Sequence, residues 1–337
     1  MRKIRLAING FGRTGRTVFR DHFNRSNLEV VVINDPAAPL INAHLLKYDS
    51  TFGKFEKEIK LEKDAMFIEG KRYPFINIKE IAQIPWKDYD VDIVIESSGQ
   101  FTYRAALEEH LKSGAKRALL CAPCKDTIDF TVVYGVNDKL LTKEHKMVSA
   151  ASCTTNCLAP IAYVIHKTFE IEYGFINTTH AYTNDQRVLD KTHTDLRRAR
   201  ASAVNLIPTS TGAAKSIGLV IPELDGKLDG IAVRAPVSDG SLLDFTCLVK
   251  KQTKATEINN VFVEASKTYL KGILTVTFDP IVSSDIIGSP FSAVVDGLLT
   301  QVIDGKFVKI MAWYDNEWAY SLRILDVAER MGELLYS

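Results

Sequence analysis

Cys153 and Cys157 stand four positions apart in the stretch ASCTTNCLAP at 151–160, separated by hydroxyl and amide side chains. Residues at i and i+4 share one helix face, and a disulfide between them needs geometry that a regular helix does not readily supply. A zinc site would need two more ligands at suitable spacing, and no paired Cys/His motif elsewhere offers them, so no metal is expected. A nucleophile or a buried thiol remains. Cys153 falls at a predicted strand-to-helix junction, where helix N-terminal amides lower a thiol's pKa and favour thiolate. Cys157, one turn deeper, reads as core. A thiolate nucleophile needs a proton partner. Among seven histidines, His180 in NTTHAYTND is the best placed, within a polar strand end soon after the Cys153 helix. Taken alone, a strand histidine is more often an ordinary structural residue. CAPC at 121–124 has redox-motif spacing, but its proline and the buried strand before it speak against a dithiol role for Cys121 and Cys124.

A second constellation opens the chain. KIRLAING reads as a short apolar strand running into Gly10-x-Gly12-x-x-Gly15, the glycine spacing of a dinucleotide-binding strand–turn–helix. The first glycine permits the tight turn, the second lets backbone approach a pyrophosphate, and the third allows close helix–strand packing. Phe11, Arg13 and Thr14 fill the loop and are candidate cofactor contacts. The next strand, LEVVVIND, ends at Asp35, placed to accept hydrogen bonds from an adenosine ribose. Ser98 in ESSGQF ends a further apolar run, where cofactor-contacting loops lie in this architecture.

The elements that must position these residues follow from the hydrophobic pattern. Near-continuous apolar runs at 91–99, 115–123, 130–137 and 145–152 suit parallel strands buried on both faces. After Cys153 the texture changes. LAPIAYVIHKTF reads as a helix, and YGFINTTHAYT, GIAVRAPV, SLLDFTCLVKK and LTVTF as partly alternating strands of a mostly antiparallel sheet. Asp304-Gly305 between two apolar runs predicts a hairpin. The last segment returns to helical periodicity. The fold class predicted is therefore α/β: a Rossmann domain over 1–152, completed by a helix over 318–337, and an α/β catalytic domain over 153–317.

The 337 residues suffice for about two domains. Net charge is +1, which steers the molecule toward neither nucleic acid nor membrane. No run of about 18 apolar residues predicts a membrane span. Polar residues interrupt MRKIRLAI before it matures into a signal peptide, and no small-residue cleavage site follows. Five cysteines, an odd number, do not form a disulfide framework and predict a cytoplasmic location.

The glycine fingerprint, ASCTTNCLAP, THAYTNDQ, PTSTGAAKSIG, PELDGKLDGIAVR and AWYDNEWAYS, in this order, resemble the phosphorylating glyceraldehyde-3-phosphate dehydrogenase family over essentially the whole chain. The resemblance implies NAD as cofactor, glyceraldehyde 3-phosphate and inorganic phosphate as substrates, and a homotetramer. It implies attack by Cys153 on the aldehyde, proton transfer to His180 as hydride leaves, and capture of a thioester by phosphate. It places the substrate's own phosphate near Thr183, Asp185 and Arg234. Attacking phosphate would lie near Ser152, Thr154, Arg198, Thr211 and Gly212. Asn316 would bond the nicotinamide amide and Tyr320 would lie near the ring. The loop carrying Lys191 and Thr192 would reach a neighbouring subunit's cofactor.

Thr14, Ala150 and Ala319 depart from the family's usual residues, as does RAPVSDGSLLD. Lys191-Thr192 replace an apolar residue and a proline. Proline would exclude an added phosphate sterically, so NADP is also possible here. The rival functions are erythrose-4-phosphate dehydrogenase, which typically loses the TSTGAAK seat, and a non-catalytic redox-sensing or binding role. Arg197, Arg198 and Arg200 without interleaved aromatics make a poor nucleic-acid footprint.

Overall fold

In the computed structural model, which describes residues 2–337, the chain divides into two compact units. The first comprises residues 2–132, 138–151 and 321–337, and the second residues 133–137 and 152–320.

The first unit is built on a nine-stranded sheet in the order Phe130–Thr131, Met147–Ser149, Arg117–Leu120, Ile93–Glu96, Ile4–Asn9, Leu28–Asn34, Lys71–Ile76, Ala65–Ile68, Ile59–Glu62. The first seven run parallel and the last two antiparallel. Strand order reverses beside Ile4–Asn9, so the carboxyl ends of Ile4–Asn9 and Ile93–Glu96 make the switch-point crevice where such sheets take ligands. Leu6, Ile8, Ile93 and Ile95 are fully buried, as strands covered on both faces require. Residues 321–337, the greater part of the helix Trp318–Tyr336, close this unit. Arg117 donates to the Met331 carbonyl, Arg25 bridges Asp326 and Glu329, and the Tyr336 hydroxyl donates to Asp92.

The second unit carries an eight-stranded sheet, Ile207–Ser210, Leu228–Ala235, Ile171–Ala181, Ser241–Val249, Phe307–Tyr314, Ala293–Asp296 and Leu274–Thr277, with Gln301–Ile303 pairing outside that path onto Phe307–Tyr314. Only the Ile171–Ala181/Leu228–Ala235 and Leu274–Thr277/Ala293–Asp296 pairs are parallel. Ser241, Leu243, Phe245, Cys247 and Val249 alternate with less buried neighbours, so one face packs on the core and the other stays open. The hairpin at Asp304-Gly305 forms, with both residues at positive φ. The run at 130–137 differs from its expected strand. Only Phe130–Thr131 pairs, because Asn137 accepts the Val133 N–H and folds 133–137 into a turn packed under Leu270 and Ile273.

Candidate active site

The helix Cys153–Phe169 begins at Cys153 itself, and the preceding Ser152 caps it by accepting the Thr155 N–H. Cys153 is partly open to solvent, whereas Cys157 is buried and its thiol is pushed well up by burial. The strand Ile171–Ala181 buries alternate residues, so Ile176, Thr178 and His180 face the same side toward the core. This brings His180 Nε2 to 3.3 Å from Cys153 Sγ. Parallel register sets His180 beside Arg234, whose Nη1 lies 2.6 Å from His180 Nδ1 and 3.1 Å from the Ala181 carbonyl. That carbonyl also lies 2.6 Å from Nδ1; when Nδ1 carries the proton and donates to it, with Arg234 donating to the carbonyl instead of to Nδ1, Nε2 is left as a base facing the thiol.

The electrostatics differ from the sequence expectation of a lowered thiol. Burial pushes the Cys153 thiol up, Arg234 and the Thr154 hydrogen bonds pull it down, and Asp239 pushes it up again. Burial and the Arg234 charge lower His180 to about 3, so the imidazole is neutral at rest. The balance leaves the thiol above its ordinary value, and Arg234 and then the Thr154 hydrogen bonds are what favour thiolate. Arg234 forms no ion pair among the described residues and its buried Nε has no partner, so the pair sits against a guanidinium awaiting an anion.

In the first unit a cavity of about 530 Å³ is lined by Gly10, Gly12, Asp35, Lys79 and Ser98, among others. Gly10 sits at φ +90°, and a Cβ there would meet the Ser98 Cα and N at 2.5 Å. A Cβ on Gly15 would lie 2.2 Å from the Gly10 carbonyl oxygen, whereas Gly12 opens onto empty space. Backbone can therefore approach a pyrophosphate at Gly12, at the start of the helix Arg13–Asp21. Asp35 accepts the N–H groups of Phe11 and Ala37, which holds its carboxylate at the ribose end of the crevice. These residues fit a dinucleotide. The Phe11 ring is fully buried against Phe19 and Phe75, and Arg13 turns to Asp49, so neither side chain lines the cavity.

Residues 4–104 match the family description "Glyceraldehyde 3-phosphate dehydrogenase, NAD binding domain", and residues 152–316 match that family's C-terminal domain. The chain is 50% identical over 335 residues to glyceraldehyde-3-phosphate dehydrogenase of Borreliella burgdorferi, covering 97% of this chain and 99% of that protein. It is 48% identical to glyceraldehyde-3-phosphate dehydrogenase 2 of Streptomyces avermitilis, covering 98% and 99% of the two chains. A third relative, glyceraldehyde-3-phosphate dehydrogenase 2 of Bacillus subtilis, is 46% identical over 98% of this chain and 97% of its own. The chain belongs to the glyceraldehyde-3-phosphate dehydrogenase family.

The residues that the family resemblance assigns to anions divide into two groups. Arg234 stands with Cys153 and His180. Arg198 donates to Asp185 at 2.7 Å, to the Thr209 hydroxyl at 2.8 Å and to the Ser210 carbonyl, which places it next to Thr211 and Gly212. His193 also bonds Asp185; burial raises that carboxylate, but the hydrogen bonds from His193 and Arg198 outweigh it and hold it below the usual range. The Thr183 hydroxyl donates to Gln186, the Thr211 hydroxyl accepts the Ala213 N–H, and the Thr154 hydroxyl meets the buried Tyr314 hydroxyl at 2.9 Å. Lys191 and Thr192 lie exposed in a loop bonded through their backbone to Ala199 and Arg187. Asn316 accepts the Ser241 hydroxyl, and Tyr320 is buried in the first turn of the last helix.

Sequence reasoning missed Tyr314, Thr178, Thr209 and Lys79. The Tyr314 ring packs edge-on at 5.9 Å from His180, and its hydroxyl joins Thr154 to Thr178 beneath the nucleophile. The alternation of the strand Phe307–Tyr314 marks Tyr314 as inward-facing, but nothing local names its partner. Among the described residues, no group of three or more His, Cys, Asp or Glu could hold a metal ion.

Proposed function

We propose that this family member oxidises glyceraldehyde 3-phosphate with NAD and inorganic phosphate to 1,3-bisphosphoglycerate. The observation that carries the reading is the Cys153 Sγ–His180 Nε2 approach of 3.3 Å beside the unanswered Arg234 charge. The Cys153 thiolate adds to the aldehyde carbon, forming a thiohemiacetal. His180 Nε2 takes the hydroxyl proton as hydride departs, leaving a thioester on Cys153. NAD, when bound, supplies the hydride acceptor. A phosphate oxygen then adds to the thioester carbon, the C–S bond breaks, and Cys153 leaves as thiolate. The Cys153 backbone N–H and protonated His180 stabilise the developing oxyanion.

Arg234 and Thr183 take the substrate's phosphate, and Arg198, Thr211, Gly212, Ser152 and Thr154 the attacking one. Asp185 is held ionised and so serves by aiming Arg198 rather than by touching an anion. Gly10, Gly12, Gly15, Asp35 and Ser98 shape the dinucleotide seat, with Phe11, Arg13 and Thr14 supporting its loop. Asn316 and Tyr320 serve the nicotinamide end. Asp35 favours a free ribose hydroxyl and therefore NAD, while Lys191, Thr192 and the cavity-lining Lys79 favour tolerance of an added phosphate. The assembly proposed is a homotetramer.

The test is aldehyde oxidation measured with NAD and NADP, with and without phosphate, in wild type and Cys153→Ser. The expected result is phosphate-dependent turnover that falls on the order of a thousandfold or more in the variant. Phosphate-independent steady turnover overturns thioester capture, and undiminished turnover in Cys153→Ser overturns the reading altogether. A preference for NAD above roughly a thousandfold, about 4 kcal/mol, overturns NADP tolerance.

A further inference from the structure

Two carboxylates that the chemistry above does not use lie together in the second unit. Asp239 and Asp315 are 2% and 1% exposed, and among the described residues neither forms an ion pair with a cation. Asp315 Oδ1 accepts the N–H groups of Glu317 and Trp318 at 2.8 and 2.6 Å, and Oδ2 accepts that of Gly288 at 2.7 Å. Asp239 Oδ1 accepts the N–H groups of Gly240 at 2.8 Å and Asn316 at 3.3 Å. Its Oδ2 is shut off from solvent and receives no donor among the described residues, and the Asn316 N–H bond sets Asp239 beside the residue that follows Asp315, near enough for the Asp315 charge to act on it. Two adjacent buried carboxylates do not both ionise. Asp315, with three N–H donors, is the ionised partner; the bare Oδ2 of Asp239 is where a proton belongs.

Asn316 links this pair to the catalytic residues. Its N–H binds Asp239, its Oδ1 accepts the Ser241 hydroxyl at 2.6 Å, and Ser241 Oγ accepts the Ala181 N–H at 3.1 Å. The Ala181 carbonyl is the group that holds His180 Nδ1. We propose that Asp239 and Asp315 share a single proton, and that in this state Asp239 is the positioning residue that holds Asn316 for the nicotinamide amide. This rests on the role given to Asn316 above. Loss of the proton sets two like charges against each other in the turn that carries Asn316 and loosens it.

The surroundings favour the protonated state. Burial, then the charge of Asp315 and its hydrogen bond, push Asp239 well above the ordinary carboxylate range, and Glu317 adds to this. Asp285, in the turn Ser283–Ile286 packed on Gly240, is exposed and occupied by the Val282 N–H. From the helix Cys153–Phe169 the facing titratable group is Cys153, whose thiol the Asp239 charge pushes up. A proton on Asp239 therefore also removes a charge that opposes thiolate.

The test compares wild type, Asp239→Asn and Asp239→Ala by NAD kinetics against pH and by thermal melting of the cofactor-free protein against pH. Folded Asp239 keeps a proton that the unfolded chain loses near pH 4, so this pair's stability contribution falls as pH rises from there through the folded value. Asparagine supplies a donor to Asp315 without titrating. Expected are loss of that melting slope and of the alkaline fall in kcat/KM in Asp239→Asn, with neutral-pH values restored to within about threefold. Asp239→Ala raises the NAD KM about tenfold at little cost in kcat. A wild-type slope and alkaline limb persisting in Asp239→Asn overturn the shared proton, even if Asp239→Ala fails to fold. A flattened melt with unchanged NAD KM in Asp239→Ala overturns the positioning role. Failure of wild type to oxidise the aldehyde overturns the functional reading instead, and the melting slope still decides the pair.

Discussion

Arg234 is a partly buried cation whose near partners among the described residues are His180 and the Ala181 carbonyl. Such a charge is costly without an anion, and the thiolate of Cys153 and a substrate phosphate are the two anions the proposed chemistry supplies. Arg234→Leu removes the group that pulls the thiol down while leaving the burial that pushes it up. Alkylation of Cys153 by iodoacetamide at neutral pH is expected to slow about tenfold, one pKa unit's worth, with a raised KM for the phosphorylated aldehyde. An unchanged alkylation rate would show that helix amides alone ionise the thiol. Cys153 and His180 were legible in the sequence because their residue types and flanking elements restrict the chemistry. The His180–Arg234 contact was not, since it spans 54 positions and depends on a parallel register that no local pattern encodes.

Among elements, the strand–turn–helix at 4–21 shows how tightly a loop can be specified. Gly10→Ala places a methyl 2.5 Å from the Ser98 backbone at φ +90°, a conformation that side chains resist. The change is expected to destabilise the protein by at least about 3 kcal/mol, read by thermal melting. NAD binding by calorimetry should weaken along with it; a variant with wild-type melting and affinity would remove the loop from the site. The glycine spacing announces this turn, so it was readable. What braces the other side was not: Ser98 bonds Glu96, a fully buried carboxylate that also takes Asn9 and His110, whose far nitrogen accepts the Trp86 indole N–H at 2.9 Å. That chain joins four separate stretches, and although Asn9 and Ser98 adjoin readable loops, no local pattern links them to Trp86 and His110. The failed strand at 133–137 has a similar cause, because Gly135 and Asn137 overrule an apolar run through turn chemistry.

For the whole molecule, the open face of the second sheet is the surface to account for. Phe175 is 71% exposed and Ile231 52%, on paired strands around a shallow hollow that also contains Asp229 and Asp244. Val188, Leu189, Leu196, Val204 and Leu206 stand exposed in the segment at 182–206. Apolar area of this kind in a chain of ordinary composition suits the proposed homotetramer. Phe175→Asp with Ile231→Asp is expected to shift the mass in light scattering from four chains to fewer, with each chain still folded by circular dichroism; an unshifted mass would place the interface elsewhere. The fold class was readable from periodicity, but the path of the helix Trp318–Tyr336 has a consequence for folding. The unit begun by Ile4–Asn9 is completed by the helical residues 321–337. Until those residues are in place, Arg25, Asp92 and Arg117 lack the partners that this helix brings. The nucleotide-binding half thus draws its closing helix from far along the chain, so its early strands stay without those partners while the second unit is being made.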